Sequence, residues 1–213
     1  MDISQYYNTF VNNIKATTLL EYIAVVAGII SVWYSKKENV LVYPIGLINT
    51  IAYMYISAKG HLFGEVTVNT YYTVMSIIGW LAWNKRVANT GQKTLQITTA
   101  STKEWVQHLT FFTICFLAIY ASLIYLQKSF YTVIPLPDAL ASATAFTGMW
   151  LMVRKKLESW YWWIVSNLFA IPLYFVKNYM LTAVYYLILL VLAILGYIEW
   201  KRKLQAKIRQ VVN

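Results

Sequence analysis

Charge is scarce in this chain. Only 26 of its 213 residues are Lys, Arg, Asp or Glu, or 12%. That is about half the share usual for soluble domains. Too little charge is present to cover a soluble globule of this size, which argues against an ordinary cytosolic enzyme. The 59% hydrophobic content excludes intrinsic disorder. A single cysteine, Cys115, excludes an intramolecular disulfide. Two histidines, His61 and His108, lack a carboxylate or thiol at ligand spacing, so no metal site is expected. There is no P-loop, no Gly-rich phosphate cradle and no nucleophile elbow, so no catalytic residue and no cofactor is expected. The N-terminus lacks a basic region followed by an apolar core, so no cleaved signal peptide is expected.

Long apolar runs take the place of charge. A bilayer-spanning helix takes about 20 apolar residues. Runs near 18–35, 40–58, 65–84, 106–126, 134–153, 160–176 and 180–200 predict seven spans. Little chain remains for a soluble domain. Residues 1–16 read as a short amphipathic helix at the interface. Residues 17–86 form a first three-helix bundle, and 87–130 a loop with a linker helix, span 4. Residues 131–203 form a second bundle, and 204–213 a basic tail.

The net charge of +10 is unevenly placed. Loops 1–2, 3–4 and 5–6 and the C-terminus hold 14 of the 18 basic residues, among them Lys36, Lys37, Lys85, Arg86, Arg154 and Lys155. The other side holds Lys15, Lys59, Lys128 and Lys177. The positive-inside rule then predicts an outer N-terminus and a cytoplasmic C-terminus. The basicity is topogenic, so a nucleic-acid partner is not expected.

The chain repeats itself weakly. Lys36–Lys59 set against Arg154–Lys177, an offset of 118, matches Asn49 with Asn167 and four further identities in 24 positions. A one-residue gap continues the register, so that Gly79 and Trp83 meet Gly196 and Trp200; upstream, Trp33 meets Trp150. Units of three spans are odd-numbered, so span 4 restores direction and makes the repeats parallel. The expected fold is an all-α membrane protein of seven helices in a 3+1+3 arrangement, one way to build a carrier that rocks about a midplane site.

Polar groups in hydrocarbon are candidate site residues by default. Trp160, Trp163, Asn167 and Tyr174 lie at i, i+3, i+7 and i+14, along one helix face. Asn49 and Tyr53 fall at i, i+4, and Asn69, Tyr72, Ser76, Trp80 and Trp83 along one stripe of span 3. Amides bond hydroxyls or a carboxamide, and rings stack on a flat solute or hold a cation. Competing readings are interfacial belts for Trp160, Trp83 and especially Trp200, helix-to-helix bonds for Asn49 and Asn69, and snorkelling for Lys59 and Lys177. Pro44 and Pro172, inside spans, are candidate hinges. Glu21, Glu65, Asp138 and Glu199 sit near span ends, and none lies mid-span. A coupled carrier usually needs an intramembrane ion site, so facilitated diffusion is expected.

SVWYSKKENVLVYPIGLINT, YYTVMSIIGWLAW, GMWLMVRKKLESWYWWIVSN and PLYFVK resemble the PnuC nicotinamide riboside transporters over about residues 18–203. The more specific parts are W-x-x-W-x-x-x-N at Trp160, Trp163 and Asn167, and G-W-x-x-W from Gly79 to Trp83. The resemblance implies a SWEET-like 3+1+3 fold, a homotrimer in the bacterial inner membrane, and uniport of nicotinamide riboside trapped by a cytoplasmic kinase. The same family includes a thiamine-carrying branch. A non-transporting scaffold or receptor would explain the helices, but not matched amides in spans 2 and 6. The absence of any Pro-Gln pair counts against a PQ-loop carrier.

Overall fold

The structure, a computed structural model, describes residues 11–12, 14–15, 17–59, 63–86, 94–127, 134–177 and 179–212. The interfacial segment expected over 1–16 falls largely outside these residues, as do His61, Lys93 and Lys128.

Seven long helices are seen among the described residues. They are α1 (Leu19–Lys36), α2 (Val42–Lys59), α3 (Phe63–Asn84), α4 (Thr102–Gln127), α5 (Pro135–Val153), α6 (Ser159–Val176) and α7 (Met180–Val212). The basic tail expected after residue 203 continues α7 as helix. By length and composition alone, α1, α4 and Met180–Gln210 of α7 are apolar enough to cross a membrane. Of the other four, α2, α3 and α6 are richer in Tyr, Trp, Thr, Ser and Asn.

Local chemistry sets the helix ends. Thr18 caps α1: its hydroxyl accepts from the Glu21 N–H, and its own N–H donates to the Glu21 carboxylate at 2.6 Å. Pro135 opens α5, where a missing N–H costs nothing. Pro44 is the third residue of α2 and so lies in the first turn, where proline interrupts no helical bond. That position removes Pro44 as a hinge. Pro172 is inside α6.

Helix α2 packs between α1 and α3, and α6 between α5 and α7. The two groups meet through α1 on α7 and α3 on α5, while α4 packs chiefly on α5 and reaches α6 through Phe112 on Trp162 at 5.2 Å. The lengths of chain on either side of α4 are built on one pattern, at an offset of 117. The C-termini of α1 and α5 close with the same pair of bonds. Asn39 N–H donates to Tyr34 O and Glu38 N–H to Ser35 O, as Lys156 N–H does to Leu151 O and Lys155 N–H to Met152 O. Glu38 (φ 60°) and Lys155 (φ 53°) are the two positive-φ non-glycine residues described. Gly79 is the notch for the Tyr43 ring, and Gly196 the notch for the Trp160 ring. Asn49 Nδ2 donates to Ala24 O at 2.7 Å, and Ser166 Oγ to Ala141 O at 2.8 Å.

These equivalences correct the expected register. An offset of 118 pairs Asn49 with Asn167, but in space Asn49 corresponds to Ser166 and Asn167 to Thr50. One register of 117 runs from Trp33/Trp150 to Trp83/Trp200 with no gap.

At the end of the bundle where the basic loops lie, each group grips the other. Trp83 Nε1–H donates to Val153 O, and Trp200 Nε1–H to Ser35 O, both at 3.1 Å. Lys155, fully buried, pairs with Glu38 at 2.7 Å, and its Nζ lies 4.6 Å from the Trp83 ring centroid. Residues 94–100 fasten the α5–α6 turn: Leu157 N–H donates to Thr98 O, and Ala100 N–H to the Glu158 carboxylate. The sequence marks this stretch only as part of the loop that precedes span 4.

Candidate functional site

The geometry divides the expected site residues into two sets. Trp160 and Trp83 belong to the apolar core at the basic end. Trp160 is 1% exposed, and its ring fills the Gly196 notch edge-on to Trp200 at 5.4 Å. Trp83 packs edge-on to Tyr43 at 5.1 Å. Trp200 is fully buried, which corrects its expected place in an interfacial belt. Trp80 is 40% exposed and faces outward. Asn69 spends an amide N–H on its own helix, donating to Glu65 O at 2.9 Å. A cleft of about 320 Å³ lined by Lys37, Glu38, Asn39, Val40, Trp83, Asn84 and Arg86 also lies at the basic end. Of the expected site residues, only Trp83 borders it.

The second set lies deeper between the two groups of helices. Trp163 rests on Gly148, whose Cα leaves 3.3 Å between an added Cβ and the indole. A larger residue at 148 would push the ring away. Across from it is Tyr72, with centroids 6.2 Å apart. Tyr72 also meets Phe146 of α5 edge-on, and Tyr71 stacks on Phe146 at 4.1 Å. One and three turns along α6 from Trp163 come Asn167 and Tyr174. Tyr174 stacks on Tyr186 of α7 at 5.1 Å. Tyr185 closes toward Asn49 over Gly28, where an added Cβ would strike both side chains. Tyr53 and Tyr72 lie within electrostatic reach of Tyr186.

Phe146, Tyr185 and Tyr186 are absent from the sequence expectation. Tyr185 and Tyr186 stand in an apolar run near a span end, where tyrosine needs no special explanation. The usable signal is the adjacent pair itself: two neighbouring tyrosines on one helix face different neighbours.

Asn167 is the distinctive member. It is 3% exposed, and among the described residues its carboxamide makes no hydrogen bond. Comparison with its equivalent explains why. Thr50 is hydrogen-bonded to the Thr73 hydroxyl of α3 at 3.0 Å. The residue equivalent to Thr73 in α7 is Leu190, which has no polar atom to offer. The Asn167 polar atoms are not among the fully enclosed unpartnered ones of the described residues, which are Tyr43 Oη, His108 Nδ1, Glu158 Oε2, Trp160 Nε1 and Trp162 Nε1, so the amide still reaches open space and is available to something brought from outside.

The two groups differ at the ring as well. Trp163 stands where the first group has Gly46, and Gly148 where it has Ser31. A shared framework thus carries a ring and a free amide on one side only. Among the described residues, no three His, Cys, Asp or Glu side chains gather as a metal site.

Comparison with known proteins follows the same lines. The family model described as nicotinamide mononucleotide transporter matches residues 18–202. The nicotinamide riboside transporter PnuC of Neisseria mucosa is 23% identical over 195 residues, covering 86% of this chain and 72% of that protein. PnuC of Escherichia coli K12 is 19% identical, covering 85% and 84%. The riboflavin/roseoflavin transporter RibM of Streptomyces davaonensis is 19% identical, covering 82% and 81%. A solved structure described as the vitamin B3 transporter PnuC superposes with a TM-score of 0.67 at 21% identity, over 92% of this chain and 87% of that one. At that identity the superposition speaks for the fold.

Proposed function

Because the chain belongs to the nicotinamide mononucleotide transporter family, we propose that it carries nicotinamide riboside by facilitated diffusion. The observation that carries this reading is Asn167: a carboxamide only 3% exposed, with no hydrogen bond to the described residues, one turn along α6 from the notched indole of Trp163. Such a site suits a flat heteroaromatic ring bearing hydroxyls and an amide. Trp163 stacks on the ring, with Tyr72 opposite. Asn167 bonds the carboxamide or the ribose hydroxyls, and Asn49, Tyr53 and Tyr174 line the approach.

The absence of acidic residues mid-span supports uniport. Direction then comes from a cytoplasmic kinase that phosphorylates the riboside and prevents its return. The equivalences at 117 support two parallel three-helix units joined by α4, the SWEET-like 3+1+3 plan. The basic loops support a cytoplasmic C-terminus in a bacterial inner membrane, with three copies assembled as the family resemblance implies. On this reading the clasp of Glu38, Lys155, Trp83 and Trp200 closes the cytoplasmic end, and opening inward parts it.

Relatives differ in cargo, as the riboflavin/roseoflavin transporter shows. Calorimetric titration of the purified protein with nicotinamide riboside, thiamine and riboflavin, each beside its phosphorylated form, separates the candidates. Binding of the riboside alone is expected. Asn167→Ala is expected to weaken it by one to two orders of magnitude, since stranded buried partners cost roughly 1–3 kcal/mol. Wild-type affinity in a well-folded Asn167→Ala protein removes Asn167 from the site. Binding of thiamine alone moves the chain to the thiamine branch.

A further inference from the structure

Three carboxylates stand at the end of the bundle opposite the basic loops, and they are engaged differently. Glu21 is committed to the α1 cap. Asp138 is neutralised by Lys177 Nζ, which donates to both carboxylate oxygens at 2.8 and 2.9 Å. Among the described residues Glu65 has no such cation. Its Oε2 accepts a hydrogen bond from Ser57 Oγ at 3.0 Å, and among the described residues it forms no ion pair.

The Ser57 bond sets where that charge sits. Ser57 is buried, one turn along α2 from Tyr53. On α3, Glu65, Asn69, Tyr72 and Ser76 fall at i, i+4, i+7 and i+11, a single face leading to the rings of Tyr72 and Trp163. The Tyr53, Tyr174 and Tyr186 side chains lie within electrostatic reach of Glu65. An exposed carboxylate with no ion pair among the described residues is thus held at the mouth of an aromatic cluster. Ring faces attract cations through the same electrostatics, and a carboxylate beside them adds to that preference.

We infer that Glu65 is a specificity-determining residue that selects a positively charged aromatic solute over a neutral one of the same shape. This rests on the reading of the chain as a carrier of a flat aromatic vitamin, and narrows the class of cargo to cations. A pyridinium or thiazolium ring meets the requirement, and a neutral isoalloxazine does not.

The test compares nicotinamide riboside, a cation, with dihydronicotinamide riboside, which is neutral and nearly isosteric. Both are titrated into wild-type protein, Glu65→Gln and Glu65→Asp. Wild-type protein is expected to prefer the cation. Glu65→Gln is expected to weaken the cation roughly tenfold, the scale of one charge pair in partly solvated surroundings, and to leave the neutral compound within about twofold. Glu65→Asp is expected to keep the preference, which separates charge from packing. Equal weakening of both compounds, or none, overturns the proposal. If the riboside does not bind wild-type protein, the substrate reading fails by itself, and the three proteins are then titrated with thiamine against riboflavin. A Glu65-dependent preference for thiamine keeps the inference; failure of both cations to bind overturns it.

Discussion

Glu38→Gln is expected to lower the stability of the folded protein by about 3 kcal/mol, and Lys155→Met by only about 1 kcal/mol. The asymmetry follows from what each change leaves behind. Lys155 is fully buried, so removing the carboxylate at 2.7 Å leaves a charge in the core. Removing one partner of a buried pair costs about 3–5 kcal/mol, and the Trp83 ring and the other contacts of Lys155 offset part of that. Glu38 is nearer the surface and keeps Lys203 at 3.6 Å when Lys155 is removed. The double variant replaces the pair by groups that need no partner and is expected to recover most of the loss. Its coupling energy, read from thermal or denaturant unfolding in detergent, is then favourable by 1 kcal/mol or more. Equal effects for the two single changes, or simple additivity, would show that the pair does not hold the clasp. Both residues also sit in the left-handed backbone region, so the substitutions are chosen to leave the backbone requirement in place.

Trp160→Ala and Trp163→Ala are expected to fail in opposite ways, although the two residues stand three positions apart in one motif. Trp160 fills the Gly196 notch and packs on Trp200. Its loss opens a cavity in the core and is expected to cost about 3–5 kcal/mol of stability. Trp163 lies against Gly148 and Tyr72, where the ring is half-buried. Its loss is expected to leave the fold nearly intact and to weaken substrate binding by at least about tenfold, the value of one stacked ring with a cationic partner. Parallel measurement of the unfolding midpoint and of ligand affinity checks both. A stable Trp160→Ala protein with lost binding would move Trp160 into the site.

Much of the architecture is legible in the amino-acid order, for identifiable reasons. Basic clusters at Lys36–Lys37, Lys85–Arg86 and Arg154–Lys156 end apolar runs, and the helices turn there. The cap at Thr18 and Glu21 and the proline at 135 are local signals that act locally. The repeat is also visible, but its register is not. Asn49 and Asn167 are the most conspicuous polar residues in their helices, and matching them shifts the alignment by one. Only the carbonyls that Asn49 and Ser166 address, Ala24 and Ala141, show the true pairing.

The site is less legible because its members are defined by what lies opposite them. The W-x-x-W-x-x-x-N spacing shows that Trp160, Trp163 and Asn167 share a face. It does not show that Gly196 takes the first ring into the core and Gly148 sets the second beside Tyr72. The free state of the Asn167 amide depends on Leu190, an unremarkable leucine in another helix. Likewise, Glu38 and Lys155 meet only because two helix ends turn the same way 117 residues apart.

The most direct test of uniport through this site is uptake of labelled nicotinamide riboside into liposomes holding the purified protein, with no sodium, proton or electrical gradient. Uptake is expected to be saturable and to stop when inside and outside concentrations are equal. It is expected to fall with Asn167→Ala and to pass equality only when a riboside kinase and ATP are enclosed. Uptake that needs an imposed ion gradient, or that exceeds equality without the kinase, would contradict uncoupled transport.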